Sequence, residues 1–377
     1  MVYFDNAATG GFKPHSVIDT VSTIVRYLSA NPGRSGHRSS LTGAKILSET
    51  RELFAGTFGC DSDRVVFTKN CTEALNLAIL GTVKNGGHVI TTIYEHNSVL
   101  RPLHFLKSQG IITLDVVSPI PNKNLVDLIE EKINDKTYML VTTACSNVTG
   151  EVLPIEEIGE LSKKHNLFYV LDGAQGAGHV NINLEAQNIS AVCLAGHKGL
   201  YGIMGSGALL FSDKIEIEPS FFGGTGSDSF NLLYPNVYPE KLEVGTINLP
   251  AVASLKEGLN YVKNNFEHFH SYLISATTKI IEGLSTINKV KCYSAPNPCG
   301  IVSFAIENLD SGEVADILDK NYDIAVRSGF HCAPLMHKFL HTDYCGLTRV
   351  SISPHNSFRE INHFLSSVKD LVKTKFF

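Results

Sequence analysis

Phe168-Tyr169-Val170-Leu171-Asp172-Gly173-Ala174-Gln175 and Ala191-Val192-Cys193-Leu194-Ala195-Gly196-His197-Lys198-Gly199 are the two stretches on which the fold turns. Each is a short apolar run that stops at a polar, glycine-containing turn. Such runs are what strands covered on both faces look like. Others share the pattern at residues 65–68, 89–93, 113–117, 138–142 and 208–211. Helical spacing separates or precedes them: Val17, Ile18, Val21, Ile24, Val25 and Leu28 form one such set, and Ile46, Leu47, Leu53 and Phe54 another. Strand runs alternating with helices predict an α/β fold on a mainly parallel, seven-stranded sheet.

Beyond residue 250 the pattern changes. A helix is expected near residues 252–266, then strand-like segments at 300–305, 324–326 and 348–353. The chain closes on an amphipathic helix with Phe358, Ile361, Phe364, Leu365, Val368 and Leu371 on one side. Ser357 followed by Glu360 is a capping box for its start, since each side chain can satisfy a free backbone N–H. A chain of 377 residues exceeds what one core usually serves. The expected division is a large α/β domain over residues 15–250 and a smaller α+β domain from residues 1–14 plus 251–377.

The formal charge of −5 and a pI near 6.3 give no general attraction to nucleic acid or anionic membrane. No apolar run approaches the roughly 20 residues needed to cross a bilayer. Met1-Val2-Tyr3-Phe4-Asp5-Asn6 lacks the basic region and apolar stretch of a secretory signal, so the expected location is cytoplasmic. The eight cysteines contain no Cys-x-x-Cys pair, which argues against a zinc site or a disulfide framework. Cys193, in an apolar run, reads as a small core residue. Cys332 differs, lying in the polar stretch Arg327-Ser328-Gly329-Phe330-His331-Cys332-Ala333-Pro334.

In an open α/β sheet, ligands bind at the carboxyl edges of the strands. Asp172 and Lys198 both arrive there. A pyridoxal cofactor needs an amine for its aldehyde and an anion for its pyridinium nitrogen, and this pair suits it. Taken singly, each is an ordinary polar residue at a turn. Phe67-Thr68-Lys69-Asn70-Cys71-Thr72-Glu73 leads into a helical pattern and offers either a phosphate seat or a plain threonine N-cap. Read without further context, His96 and Asn147 are equally well loop residues, and Arg349 a surface strand residue.

The combined pattern resembles the class V aminotransferase fold of pyridoxal-phosphate enzymes (fold type I), and within it the cysteine desulfurases and selenocysteine lyases. The resemblance is carried by Tyr3-Phe4-Asp5-Asn6-Ala7-Ala8-Thr9, Asn70-Cys71-Thr72-Glu73, Glu95-His96-Asn97, Ser146-Asn147-Val148-Thr149-Gly150, Asp172-Gly173-Ala174-Gln175, Gly196-His197-Lys198, Glu243-Val244-Gly245-Thr246 and Arg327-Ser328-Gly329-Phe330-His331-Cys332, in the family's order. It implies that Lys198 holds pyridoxal 5'-phosphate as a Schiff base and moves the Cα proton. Asp172 is implied at the pyridine nitrogen, His96 over the ring, and Gln175 at the phenolic oxygen. Cys71 (through its backbone), Thr72 and His197 would hold the phosphate. Thr246 would reach the phosphate of a neighbouring subunit, which implies a homodimer with shared active sites. Asn147 and Arg349 would grip the substrate carboxylate.

Cys332 stands where group II desulfurases carry the cysteine that takes sulfur from L-cysteine as a persulfide, releasing L-alanine. His331 and Arg327, adjacent in sequence, are candidates for supplying positive potential to that thiol. A sulfur carrier or assembly protein is the implied acceptor. The same fold also hosts selenocysteine lyases, transaminases and β-lyases, and a pyridoxal-phosphate-binding protein without turnover is the non-enzymatic alternative. Ala195, Phe330 and the tight Cys332-Ala333-Pro334 depart from the group II pattern, which commonly has a phosphate-contacting serine, a histidine and Cys-Ala-x-Pro at these places.

Overall fold

The computed structural model describes residues 1–28 and 30–376. Its strands are β1 (Val2–Tyr3), β2 (Val65–Thr68), β3 (Gly87–Thr92), β4 (Ile112–Val117), β5 (Thr137–Thr143), β6 (Phe168–Asp172), β7 (Ala191–Ala195), β8 (Gly207–Phe211), β9 (Val290–Cys292), β10 (Ile301–Ile306), β11 (Ile324–Ala325) and β12 (Thr348–Ser351). The helices are α1 (His15–Tyr27), α2 (Arg38–Phe58), α3 (Cys71–Gly81), α4 (Asn97–Ser108), α5 (Leu125–Glu130), α6 (Ile155–Lys164), α7 (Leu249–Ser285), α8 (Ser311–Tyr322), α9 (Pro334–Phe339) and α10 (Phe358–Phe376).

All seven apolar runs read from the sequence join one sheet, in the order β2-β8-β7-β6-β5-β3-β4. Its strands run parallel from β4 through β7, and β8 is antiparallel to both neighbours. Alternation along a strand sends successive side chains to opposite faces. Tyr169 and Leu171 enter one core with α2 and α6, while Val170 enters the other with α3 and α4. Both faces are therefore apolar, which is why the strands read as continuous hydrophobic runs. Cys193 is fully buried in the second core.

The second unit of sheet is antiparallel, in the order β12-β10-β9, with β1 and β11 as a separate parallel pair. Helix α7 serves both regions. Leu255 and Leu259 lie in the core of the large sheet, and Leu273, Ala276, Ile280 and Leu284 in a third core with α8 and α10. It runs 37 residues, far past the expected 252–266. The polar and aromatic stretch Glu267-His268-Phe269-His270 masks the stripe, which resumes at Leu273 with helical spacing. The capping box of α10 forms as read: Glu360 Oε2 accepts from the Ser357 N–H at 2.6 Å, and Ser357 Oγ accepts from the Glu360 N–H at 3.2 Å.

Candidate active site

Asp172 ends β6 and Lys198 follows β7, so neighbouring parallel strands deliver both to one edge of the sheet. A cavity of about 100 Å3 opens there. Cys71, Thr72, His96 and Asn147 line it, together with Asp172, Gln175, His197 and Lys198. Eight of the sequence-derived site residues thus meet around one space.

Helix α3 forms one wall. Its N-cap is Asn70, whose Oδ1 accepts from the Glu73 N–H at 2.9 Å, so the cap is not Thr72. Thr72 lies exposed in the first turn, where backbone N–H groups have no partner four residues back. Strand β8 passes tightly beneath this start. A Cβ on Gly207 would stand 2.7 Å from the Asn70 carbonyl carbon, so only glycine allows the approach. The Cys71 thiol points inward and donates to Asp172 Oδ1 at 3.4 Å. Asp172 Oδ1 also accepts from the Ala174 N–H at 2.9 Å, which fixes the carboxylate.

His96 is the N-cap of α4, its Nδ1 accepting from the Ser98 N–H at 3.1 Å. That bond leaves the ring proton on Nε2. Burial pushes the His96 pKa down, and the negative charge of Asp172 opposes it. Burial likewise lowers Lys198, again opposed by Asp172, so a larger share of its amine is neutral than in water. His197 is pushed down to about 4 by burial and by the charges of Lys198 and Lys13. Its Nδ1 meets Thr9 Oγ1 at 3.1 Å, and its carbonyl accepts from the Gly10 N–H at 2.9 Å. Gln175 Nε2 donates to the Ala7 carbonyl at 3.0 Å. The amino-terminal segment is thereby strapped over the site.

Arg349, in β12, is almost fully buried. Its Nη2 forms an ion pair with Asp5 Oδ1 at 3.1 Å, and its Nη1 donates to the Asn147 carbonyl at 2.9 Å. Arg349 is therefore a buried strand residue beside the cavity, and the surface alternative fails. Thr246 is exposed and lines a different cleft with Phe67, Thr68 and Lys69. Within the single chain it does not meet the Lys198 cavity.

Cys332 is the one exposed cysteine of the eight, all of which are free thiols. The turn that carries it is tied to the cavity wall: its carbonyl accepts from the Asn97 N–H at 2.7 Å, and the His331 carbonyl from Asn147 Nδ2 at 2.6 Å. His331 does not supply the positive potential considered for this thiol. Its ring is buried, and its pKa lies well below the usual histidine range through burial first and the nearby Arg349 charge second. The ring stays neutral at neutral pH.

Sequence reasoning assigned no role to Asp5, Glu95 or Lys13. Glu95 is fully buried between strand ends, accepts from Thr92 Oγ1 at 2.7 Å, and is held well above the ordinary carboxylate range by burial. Lys13 Nζ donates to the His197 carbonyl at 3.2 Å. Their positions inside or just after recurrent motifs were the available signal, but their contacts depend on residues far away in sequence.

A lysine after β7 and an aspartate closing β6, on a mostly parallel sheet, form the arrangement of the fold-type-I pyridoxal-phosphate transferases. The chain belongs to the class-V aminotransferase family, whose profile matches residues 2–364. It is 33% identical over 375 residues to a probable cysteine desulfurase of Methanothermobacter thermautotrophicus, covering 96% of this chain and 92% of that protein. It is 31% identical over 389 residues to a probable cysteine desulfurase of Pyrococcus abyssi, covering 99% and 95%. The apo structure of a cysteine desulfurase from Thermococcus onnurineus NA1 superimposes with a TM-score of 0.92 at 30% identity, covering 99% of this chain and 95% of that one.

Proposed function

We propose that this protein is a pyridoxal-phosphate-dependent cysteine desulfurase that converts L-cysteine to L-alanine and receives the sulfur on Cys332 as a persulfide. One observation carries the reading: the single exposed thiol of the chain sits on a turn bonded directly to Asn97 and Asn147 beside the Lys198 cavity. Relatives named as cysteine desulfurases, about 30% identical over nearly the whole chain, support it.

The residues present fit the cofactor. A half-buried amine and a fixed carboxylate face one cavity, where Asn147 Oδ1 is buried without a hydrogen-bond partner among the described residues; Arg349 Nε, on the residue bonded to the Asn147 carbonyl, is likewise buried and unpartnered. Lys198 would hold the aldehyde carbon, Asp172 the pyridine nitrogen, His96 the ring face and Gln175 the phenolic oxygen. Cys71 through its backbone, Thr72 and His197 would hold the phosphate. When bound, pyridoxal phosphate supplies an electron sink for the substrate's Cα and Cβ bonds.

The chain's own groups supply the rest. Burial lowers the proton affinity of Lys198, which suits it to move the Cα proton. Arg349 and Asn147 would orient the substrate carboxylate, with Asp5 holding the guanidinium beforehand. The Cys332 thiolate attacks the substrate sulfur. An S–S bond forms, the Cβ–S bond breaks, and its electron pair remains at Cβ, which takes a proton to give alanine. A reductant or an acceptor protein then removes the sulfur from Cys332.

The wider reading is a homodimer in which Thr246 reaches the phosphate of the neighbouring subunit. Phe221 and Phe222, 48% and 68% exposed, line the same cleft as Thr246 and support an apolar contact there. No described helix is long and apolar enough to cross a membrane, and the free cysteines fit a reducing, cytoplasmic compartment. The two-domain division, with residues 15–250 as the large part, is supported by the separate core that β10, β12, α8 and α10 build.

The test gives purified protein, loaded with cofactor, L-cysteine and a reductant. Wild type is expected to form sulfide and alanine in equal amounts, with Cys332→Ser slower by roughly a hundredfold or more. Equal turnover by the two proteins would sink the persulfide route. Alanine from selenocysteine alone would indicate a lyase, and a keto acid would indicate transamination or β-elimination.

A further inference from the structure

Consecutive residues of the Cys332 turn have left-handed backbones, His331 at φ 48° and Cys332 at φ 55°, just after Gly329 at φ 96°. Residues with a Cβ pay for this conformation, and it persists only where the surroundings over-determine it. Three bonds do so here: the Ala333 N–H closes the turn onto the Phe330 carbonyl at 2.9 Å, and two more tie it to residues outside the turn. Asn147 Nδ2 holds the His331 carbonyl at 2.6 Å, and the Asn97 N–H holds the Cys332 carbonyl at 2.7 Å. The ring of His331 makes no hydrogen bond among the described residues and packs on His337, with centroids 5.6 Å apart. The turn is therefore held by its main chain.

Asn147 is fixed from its other side as well, its own carbonyl accepting Arg349 Nη1 at 2.9 Å. The geometry points to Asn147 as the positioning residue of Cys332: one side-chain amide seats the thiol-bearing turn from the wall of the cofactor cavity. This goes beyond a carboxylate-binding role, and it rests on the desulfurase reading only for what the thiol then does. A carboxamide carries two N–H donors and an acceptor oxygen. One donor is committed to His331, while Oδ1 is buried with no partner among the described residues. The second donor and Oδ1 remain for a ligand. The same amide thus serves the seat of the ligand and the seat of the nucleophile, and a ligand carboxylate that draws Nδ2 inward loosens the turn.

The test needs no turnover. Cofactor-loaded wild type, Asn147→Asp and Asn147→Ala are treated with iodoacetamide without amino acid, and each cysteine peptide is followed by mass spectrometry. Asn147→Asp keeps the shape but, ionised, cannot donate to the His331 carbonyl. Both variants should alkylate Cys332 about fivefold faster or more, because the turn opens locally. The part-buried Cys60, Cys292 and Cys345 should keep their wild-type rates. Faster amide exchange in the peptide spanning residues 328–334 should accompany the change. Cys332 rates within about twofold of wild type in both variants would overturn the assignment, being too small for loss of a seating bond. A parallel rise at all four cysteines would overturn it too, since it reports general loosening. A wild type that fails to desulfurate cysteine would refute the proposed function and leave this comparison readable.

Discussion

Cys332 follows a buried, uncharged histidine, so its neighbour in sequence lends the thiol no positive charge. Arg349 does interact with this thiol: its own pKa, pushed down to about 10 by burial, is raised in turn by Asp5 and Cys332. Replacing His331 with asparagine, which tolerates a left-handed backbone, should leave the pH midpoint of Cys332 alkylation unmoved. A shift of about one pH unit, worth roughly 1.4 kcal/mol, would show that the ring carries charge after all. Lys198 gives a second residue-scale prediction. The wild type, with cofactor added, should be yellow and bleach with borohydride, and Lys198→Ala should lose that colour. A wild type that stays colourless and unreactive would contradict the assignment of Lys198.

Helix starts do much of the positioning, and two of them allow a clean comparison. Asn70 caps α3 at the cavity, while Ser357 caps α10 at an exposed site. Removing either cap with alanine should cost about 1 kcal/mol in urea unfolding. Only Asn70→Ala should also weaken cofactor binding, because only its helix presents first-turn N–H groups to the cavity. Equal cofactor affinity in both variants would argue against α3 as the phosphate seat.

These elements were unequally legible. The strands of the large sheet could be read because burial on both faces leaves continuous apolar runs, and the capping box of α10 because it is local. The threonine N-cap that the sequence offers as one reading of the α3 start gives way to Asn70, since Asn70, Thr72 and Glu73 all suit a helix start and only the backbone decides. Strands β1 and β9 have two and three residues, too short for any periodicity. Lys198 and Asp172 were legible as strand-tip residues. The contacts of Arg349 with Asp5 and Asn147 were not, because they join positions 344 and 202 residues apart.

Across the whole molecule, buried histidines should set the response to acid. His179 and His197 are both pushed down to about 4, by burial first. In the folded chain they stay neutral until the pH nears 4, whereas the unfolded chain protonates them near 6.5. The unfolded state therefore binds more protons between those values. Stability is fully present above about 6.5 and is lost as the pH falls toward 4. Urea midpoints measured across this window should decline, and His179→Gln should flatten the slope. A midpoint indifferent to pH would contradict the burial of these rings.

At the same scale, cofactor cavity, strapped amino terminus and thiol turn converge because β6, β7 and β12 bring Asp172, Lys198 and Arg349 together from separate sheets. The claim that this convergence serves sulfur transfer is tested most directly by the mass of the Cys332 peptide after a substoichiometric dose of L-cysteine, without reductant. The account predicts a peptide heavier by one sulfur atom in wild type and unchanged in Lys198→Ala. Alanine formation with no sulfur on Cys332 would contradict it.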